Sequence, residues 1–284
     1  MEVIVPKVAV MMIHGIGDQT EDYVQESTAR LVESVKQRCG DGVVFANAYW
    51  ADVLSNEQKE MQKRLKAGGI MHYNALRAFL IDFVGDALAY QPTPHNRTVY
   101  DKIHVIIANT MQHLAQHAGE NAPLVVIGHS LGTIIASNYI YDLQIHPQRQ
   151  IIPAHVEQKI GQTPLERAET LVSFYSLGCP LPLWSLRFDD FGTPIQVPSP
   201  NLQQHYPNIT GEWVNFYDQD DILAYPLRTL NEQYQVVVKQ DRQVNVGRFY
   251  ESWNPLSHMG YWKDHDVIQP ITDALYQLCS RLGL

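Results

Sequence analysis

Apolar positions along the chain fall into two kinds of run. Short unbroken blocks end in glycine or polar residues: "VAVMMIHGIGD" (Val8–Asp18), "VVFANAYW" (Val43–Trp50), "PLVVIGHS" (Pro123–Ser130), "TLVSFYSLG" (Thr170–Gly178) and "EWVNFYDQDD" (Glu212–Asp221). Such blocks suit strands covered on both faces. Between them, apolar residues recur at helical spacing over Thr20–Arg38, with Tyr23, Leu31, Val32 and Val35 expected inward. The same spacing predicts helices over Ala51–Ala89, broken at Gly68-Gly69, and over Val99–Ala118, Leu131–Leu143 and Asp266–Leu282. Residues 144–168 are polar and interrupted by prolines, and "YQVVVKQDRQVNV" (Tyr234–Val246) alternates about a polar centre, as a hairpin or short strand pair would.

Strands alternating with helices predict an α/β fold, a mostly parallel central sheet with helices on both faces. Ligands then bind beyond the carboxyl ends of the strands. The chain of 284 residues is read as a single domain, 1–284, with no internal repeat. Residues 51–97 are longer than a simple connection and carry Leu54, Met61, Ile70, Met71, Tyr73, Leu76, Phe79 and Phe83. They are expected to form either a helical cap or lid over the site or an extra packed layer.

Composition narrows the partners. A formal net charge of −9, with no basic cluster, disfavours nucleic acid, whose phosphates would be repelled. Three cysteines, Cys39, Cys179 and Cys279, lie far apart in sequence, so neither a disulfide framework nor a zinc site is expected. The first residues lack a basic leader and a small-residue cleavage site, and they read as a strand rather than a signal peptide. A cytoplasmic location without a stable membrane anchor is the expectation. Oligomeric state has no visible signature.

One block carries chemistry. In "PLVVIGHSLGTII" (Pro123–Ile135), a buried strand runs into Gly-His-Ser-Leu-Gly and a helix follows at once. A nucleophile elbow has this context, with the serine hydroxyl raised above the sheet on a strained turn. Gly128 and Gly132 leave room for the turn, and the Leu131 N–H at the helix start can donate to an oxyanion. "GHSLG", with "HGIG" ending an earlier strand and "SLGCPLP" after a later one, resembles the α/β-hydrolase superfamily and within it the lipases and esterases.

A serine nucleophile needs an imidazole base and a carboxylate to orient it. The resemblance implies the chain order nucleophile, acid, histidine. It places the histidine at His258 in "NPLSHMGYW", with His265 in "KDHD" as the alternative. "FYDQDDILAYPL" offers Asp218, Asp220 and Asp221; the resemblance, whose members commonly show Asp, one residue and then an aliphatic pair, implies Asp220 as the acid. Asp189 and Asp190 rank below these, having no clear strand before them. The resemblance also implies Ile16 N–H as the second oxyanion donor, beside Gly15, which lets the main chain approach closely. His14 reads as a structural residue of that loop, and His129 as a pocket or packing residue.

No cofactor is required by this chemistry. His113 and His117 stand four apart on a predicted helix, but no glutamate or third ligand accompanies them, so a solvated face is expected rather than a metal. The expected activity is cleavage of a small-molecule carboxylic ester, lipid-like substrates included, through an acyl-enzyme on Ser130. An acyltransferase or thioesterase with the same triad, and a non-catalytic binding protein on a hydrolase scaffold, are the alternatives.

Overall fold

The computed structural model describes residues 7–15, 20–69, 72, 74–246 and 257–284. Along the chain run β1 (Val8–Ile13), α1 (Glu21–Cys39), β2 (Val43–Ala48), α2 (Ser55–Ala67), α3 (Asn74–Tyr90), α4 (Thr98–Ala118), β3 (Leu124–His129) and α5 (Leu131–Arg149). There follow α6 (Ala154–Glu157), β4 (Leu171–Leu177), α7 (Leu181–Ser185), α8 (Leu202–His205), β5 (Glu212–Asp218), α9 (Glu232–Val237), β6 (Val238–Val244) and α10 (His265–Leu282). The strands form one sheet in the order β2-β1-β3-β4-β5-β6, and every adjacent pair is parallel.

The unbroken apolar strands follow from this layering. Alternate side chains of a strand point to opposite faces. Ala9, Met11 and Ile13 enter the core shared with α4 and α5, while Val8, Val10 and Met12 enter the one shared with α1 and α10. Both faces are covered, so both sets of positions must be apolar.

Three expectations need correction. In α1 the buried stripe is Val24, Thr28, Leu31 and Val35; Tyr23 is exposed, under the Lys263 ammonium. Helix α5 continues through Pro147 to Arg149, because a proline near the last turn forfeits little of the ladder. The segment Tyr234–Val246 is no hairpin. It finishes the short helix α9 and then gives one strand, β6, parallel to β5. Its alternation arises because β6 is an edge strand with buried ends, Val238 and Val244, and a more exposed middle.

The fold also brings together what the sequence separates. Cys39 at the end of α1 and Cys279 in α10 share a thiol hydrogen bond; burial, then this neighbour, pushes the Cys279 thiol up to about 12. All three cysteines are free thiols. Helices α2 and α3 of the 51–97 segment pack on each other and α3 on α4, and the Gln58 amide donates to Asp86 at 2.5 Å. Ile70, Met71 and Tyr73 lie outside the described residues.

Candidate active site

The turn after β3 is an elbow. Ser130 has φ 53° and ψ −128°, a backbone region that favours glycine. Such strain persists only when the surroundings over-determine it. Here the Ser130 N–H donates to Leu177 O at 2.9 Å, and its own carbonyl accepts from Thr133 N–H at 2.9 Å and the Thr133 hydroxyl at 2.7 Å.

The flanking glycines are required by close approach. A Cβ on Gly132 would lie 2.4 Å from Ile13 O at the end of β1, and one on Gly128 would lie 2.9 Å from Thr133 Cα. Gly15 plays the same part in the facing loop, where a Cβ would meet Ser130 Cβ at 2.8 Å. Leu131 opens α5, so its N–H belongs to the first turn and has no intrahelical carbonyl. Ile16 lies outside the described residues.

His258, on a short turn before α10, meets the serine. Its Nε2 is 2.7 Å from Ser130 Oγ, and its Nδ1 is 2.7 Å from Asp221 Oδ2. A carboxylate only accepts, so Nδ1 carries the proton and Nε2 faces the serine hydroxyl as acceptor. All three side chains are buried.

The carboxylate that bonds His258 is Asp221 and not Asp220, which the sequence favoured. The Asp220 N–H donates to Asp218 Oδ1 at 2.8 Å, closing a turn that leaves the Asp220 side chain in solvent. One residue on, Asp221 points inward. Asp218 is buried and structural: its Oδ2 accepts from Val246 N–H at 2.6 Å, tying the acid loop to the end of β6. Asp221 accepts from three donors, His258, the Tyr261 hydroxyl at 2.9 Å and Leu223 N–H at 3.0 Å. Burial pushes its carboxyl upward, but the bond and charge of His258 and the other two donors together hold it below the usual carboxylate range.

Several supporting residues carry no assignment from sequence. Tyr261 bridges the acid loop, accepting from Asp218 N–H at 2.9 Å while donating to Asp221. Gly178, at φ 57°, lets β4 end against the site; a Cβ there would lie 2.8 Å from Tyr261 Cε2 and 3.2 Å from His258 Cε1. The legible signal for Gly178 is a glycine closing an apolar strand. Tyr261 has none.

The two neighbouring histidines are structural. His129 Nε2–H donates to the His258 carbonyl at 2.7 Å and fixes that turn; burial, then the adjacent His258, lowers its pKa to about 3. His14 bonds the Gly15 carbonyl, accepts from Trp50 N–H at 3.1 Å and stacks on the Trp50 ring; burial lowers it to about 4.

His265 is solvent-exposed and pairs only loosely with Asp266 at 3.9 Å. Asp189 and Asp190 are exposed on the loop after α7. His113 and His117 lie with ring centroids 4.1 Å apart, tilted, on the exposed side of α4. Among the described residues no group of three or more His, Cys, Asp or Glu is placed to hold a metal, and no helix is long and apolar enough to cross a membrane.

No protein-family model matches the chain, and no curated protein matches it. Solved structures overlap it at low identity. A hydrolase of the alpha/beta superfamily from Xanthomonas campestris pv. campestris is 10% identical at a TM-score of 0.40, over 97% of this chain and 99% of that one. A fungal esterase from Rhizomucor miehei is 10% identical at 0.44, over 99% and 78%. An esterase from Pyrobaculum calidifontis is 9% identical at 0.41, over 98% and 76%. What the site can do is therefore read from its own geometry.

Proposed function

We propose that this chain is a serine hydrolase that cleaves carboxylic esters through an acyl-enzyme on Ser130. One observation carries the reading: an unbroken hydrogen-bond chain from Ser130 Oγ through His258 to Asp221, on an elbow that no ordinary turn would need to strain. His258 Nε2 takes the hydroxyl proton as Oγ attacks the ester carbonyl carbon. The Leu131 N–H, with a second donor assigned by resemblance to Ile16, stabilises the oxyanion. The ester C–O bond then breaks, and the alcohol leaves with the proton from His258. Water attacks the acyl group with His258 again as base, releasing the acid and restoring Ser130.

The segment 51–97 is assigned the role of an apolar cap, supported by Val84 and Leu88, which expose large apolar side chains on α3. The three free thiols fit the reducing cytoplasm, which is where we assign the reaction.

The test is labelling with a fluorophosphonate probe, on wild type and Ser130→Ala, with mass mapping of the adduct. An adduct at Ser130 that the variant lacks, with p-nitrophenyl ester turnover falling on the order of 10⁶-fold, is the expected result. Full ester turnover in a folded Ser130→Ala protein would defeat the reading.

A further inference from the structure

One cavity has none of Ser130, His258 and Asp221 in its lining. It measures about 290 Å³ and lies between α5 and the segment from α7 to Thr193. Five aromatic rings line it: Tyr141, Trp184, Phe188, Phe191 and Tyr234. Asp189 is its one charged lining residue, with neither lysine nor arginine among the described walls. An apolar cavity of about half that size holds a benzene molecule, so a small organic ligand fits.

The rim is built rather than loose. Asp190, Phe191 and Gly192 all have positive φ, at 47°, 59° and 77°. A bulky residue such as Phe191 rarely adopts that region. The Asn231 amide holds the turn, donating to Asp190 O at 2.6 Å and Gly192 O at 3.0 Å. The same side chain accepts from Tyr234 N–H at 3.0 Å at the start of α9, so one residue positions rings on both walls. Backbone strain of this kind collects at ligand clamps.

Folding alone does not account for the rings. Phe188 is 50% exposed and Phe191 39% exposed, although both border a concave surface that could have covered them. Phe188 already carries a cation on its ring, the Arg187 guanidinium at 4.5 Å, and Arg187 does not line the cavity.

We propose that this cavity binds a small organic cation of the quaternary ammonium type. Aromatic faces attract such cations through the ring quadrupole, and they bind them without the dehydration cost of a metal ion or a primary amine. Asp189 supplies the countercharge at the rim. The absence of basic residues among the described walls disfavours an anion. The proposal is independent of Ser130 chemistry.

Calorimetric titration of the wild-type protein with choline chloride, at constant ionic strength, tests it against the uncharged isostere 3,3-dimethylbutan-1-ol. The expected result is saturable choline binding, with the isostere weaker by about tenfold. Ser130→Ala should bind choline as wild type does. Asp189→Asn and Phe191→Ala, both at exposed positions, should keep the fold and each weaken choline roughly three- to tenfold. Three outcomes overturn it: no saturable choline binding, equal affinity for the neutral isostere, or undiminished binding in both variants.

Discussion

Two buried clusters in this chain contain the same groups. One is Ser130, His258, Asp221 and Tyr261. The other, between α3, α4 and α5, is Tyr90, Tyr100, His104 and Asp142. Each sets a histidine beside an aspartate with hydroxyls around them. They differ in how the carboxylate is served. Asp221 receives three donors, with His258 Nδ1 at 2.7 Å. Asp142 receives the Tyr100 hydroxyl at 2.8 Å, while His104 Nδ1 stands 3.6 Å away and its Nε2 is engaged with the Tyr90 hydroxyl at 3.0 Å. Burial then wins at Asp142, partly opposed by Tyr100 and Arg97, and lifts its pKa to about 6; burial lowers His104 to about 3.

The difference teaches that residue types do not make a catalytic acid–base pair. A buried carboxylate stays charged only if donors replace the water it lost. A charged carboxylate at hydrogen-bond distance is what can stabilise an imidazolium as a proton arrives from serine. The His104 pair lacks both that contact and a nucleophile on a raised turn, so it serves as packing.

The sharpest way to break the comparison is to remove the charge from the first cluster. Asp221→Asn should lower kcat for p-nitrophenyl esters by about 10³- to 10⁴-fold, since Asn favours the wrong His258 tautomer. Asp220→Asn, its neighbour in solvent, should stay within about twofold of wild type. A larger loss in Asp220→Asn than in Asp221→Asn would return the acid assignment to Asp220.

A second test concerns stability. His14, His104 and His129 are held neutral, with pKa values lowered to about 4, 3 and 3. Their folded values lie below the unfolded one, so the unfolded chain binds more protons below pH 6.5. Stability is complete above that pH and lost as pH falls, by on the order of 2 kcal/mol per histidine at pH 5. Asp142 works the other way: its raised pKa makes the fold gain relative stability as pH falls from 6 toward the ordinary carboxylate range. Three groups outweigh one, so denaturant midpoints should drop steadily between pH 7 and pH 5. A flat profile would show that these histidines are not neutral in the fold.

Smaller effects sharpen the contrast. Tyr261→Phe removes one of the three donors to Asp221, so kcat should fall about fivefold, with the acid limb of the pH–rate profile moved upward. An unchanged profile would reduce Tyr261 to packing. In the second cluster, Asp142→Asn should leave ester turnover unchanged and shift stability by no more than about 1 kcal/mol, because it deletes a poorly served charge. A large loss of turnover there would tie the two clusters together and undo the distinction.

Much of this is legible in the order of residues alone. The apolar blocks place five of the six strands, and their lack of alternation foretells helices on both faces. Ser130 is legible because an elbow is local: strand, two glycines and helix lie within a few residues. His258 is legible only through the resemblance, which implies a histidine in the loop before the last helix. Asp221 is not, because three aspartates within four positions differ only in where a turn aims them. The roles of His129, Gly178 and Tyr261 are not, since each acts on a residue that only folding brings near. The two His–Asp clusters are equally silent.

The sequence by itself therefore determined the parallel sheet and the elbow serine, because the spacing of neighbouring residues sets strand faces, helix faces and tight turns; His258 came from the resemblance. Tertiary structure alone decided which carboxylate serves His258, which buried histidine has no such partner, and where five aromatic rings surround a cavity. Those outcomes depend on distances of a few ångströms between residues far apart in the chain, and no local pattern encodes them.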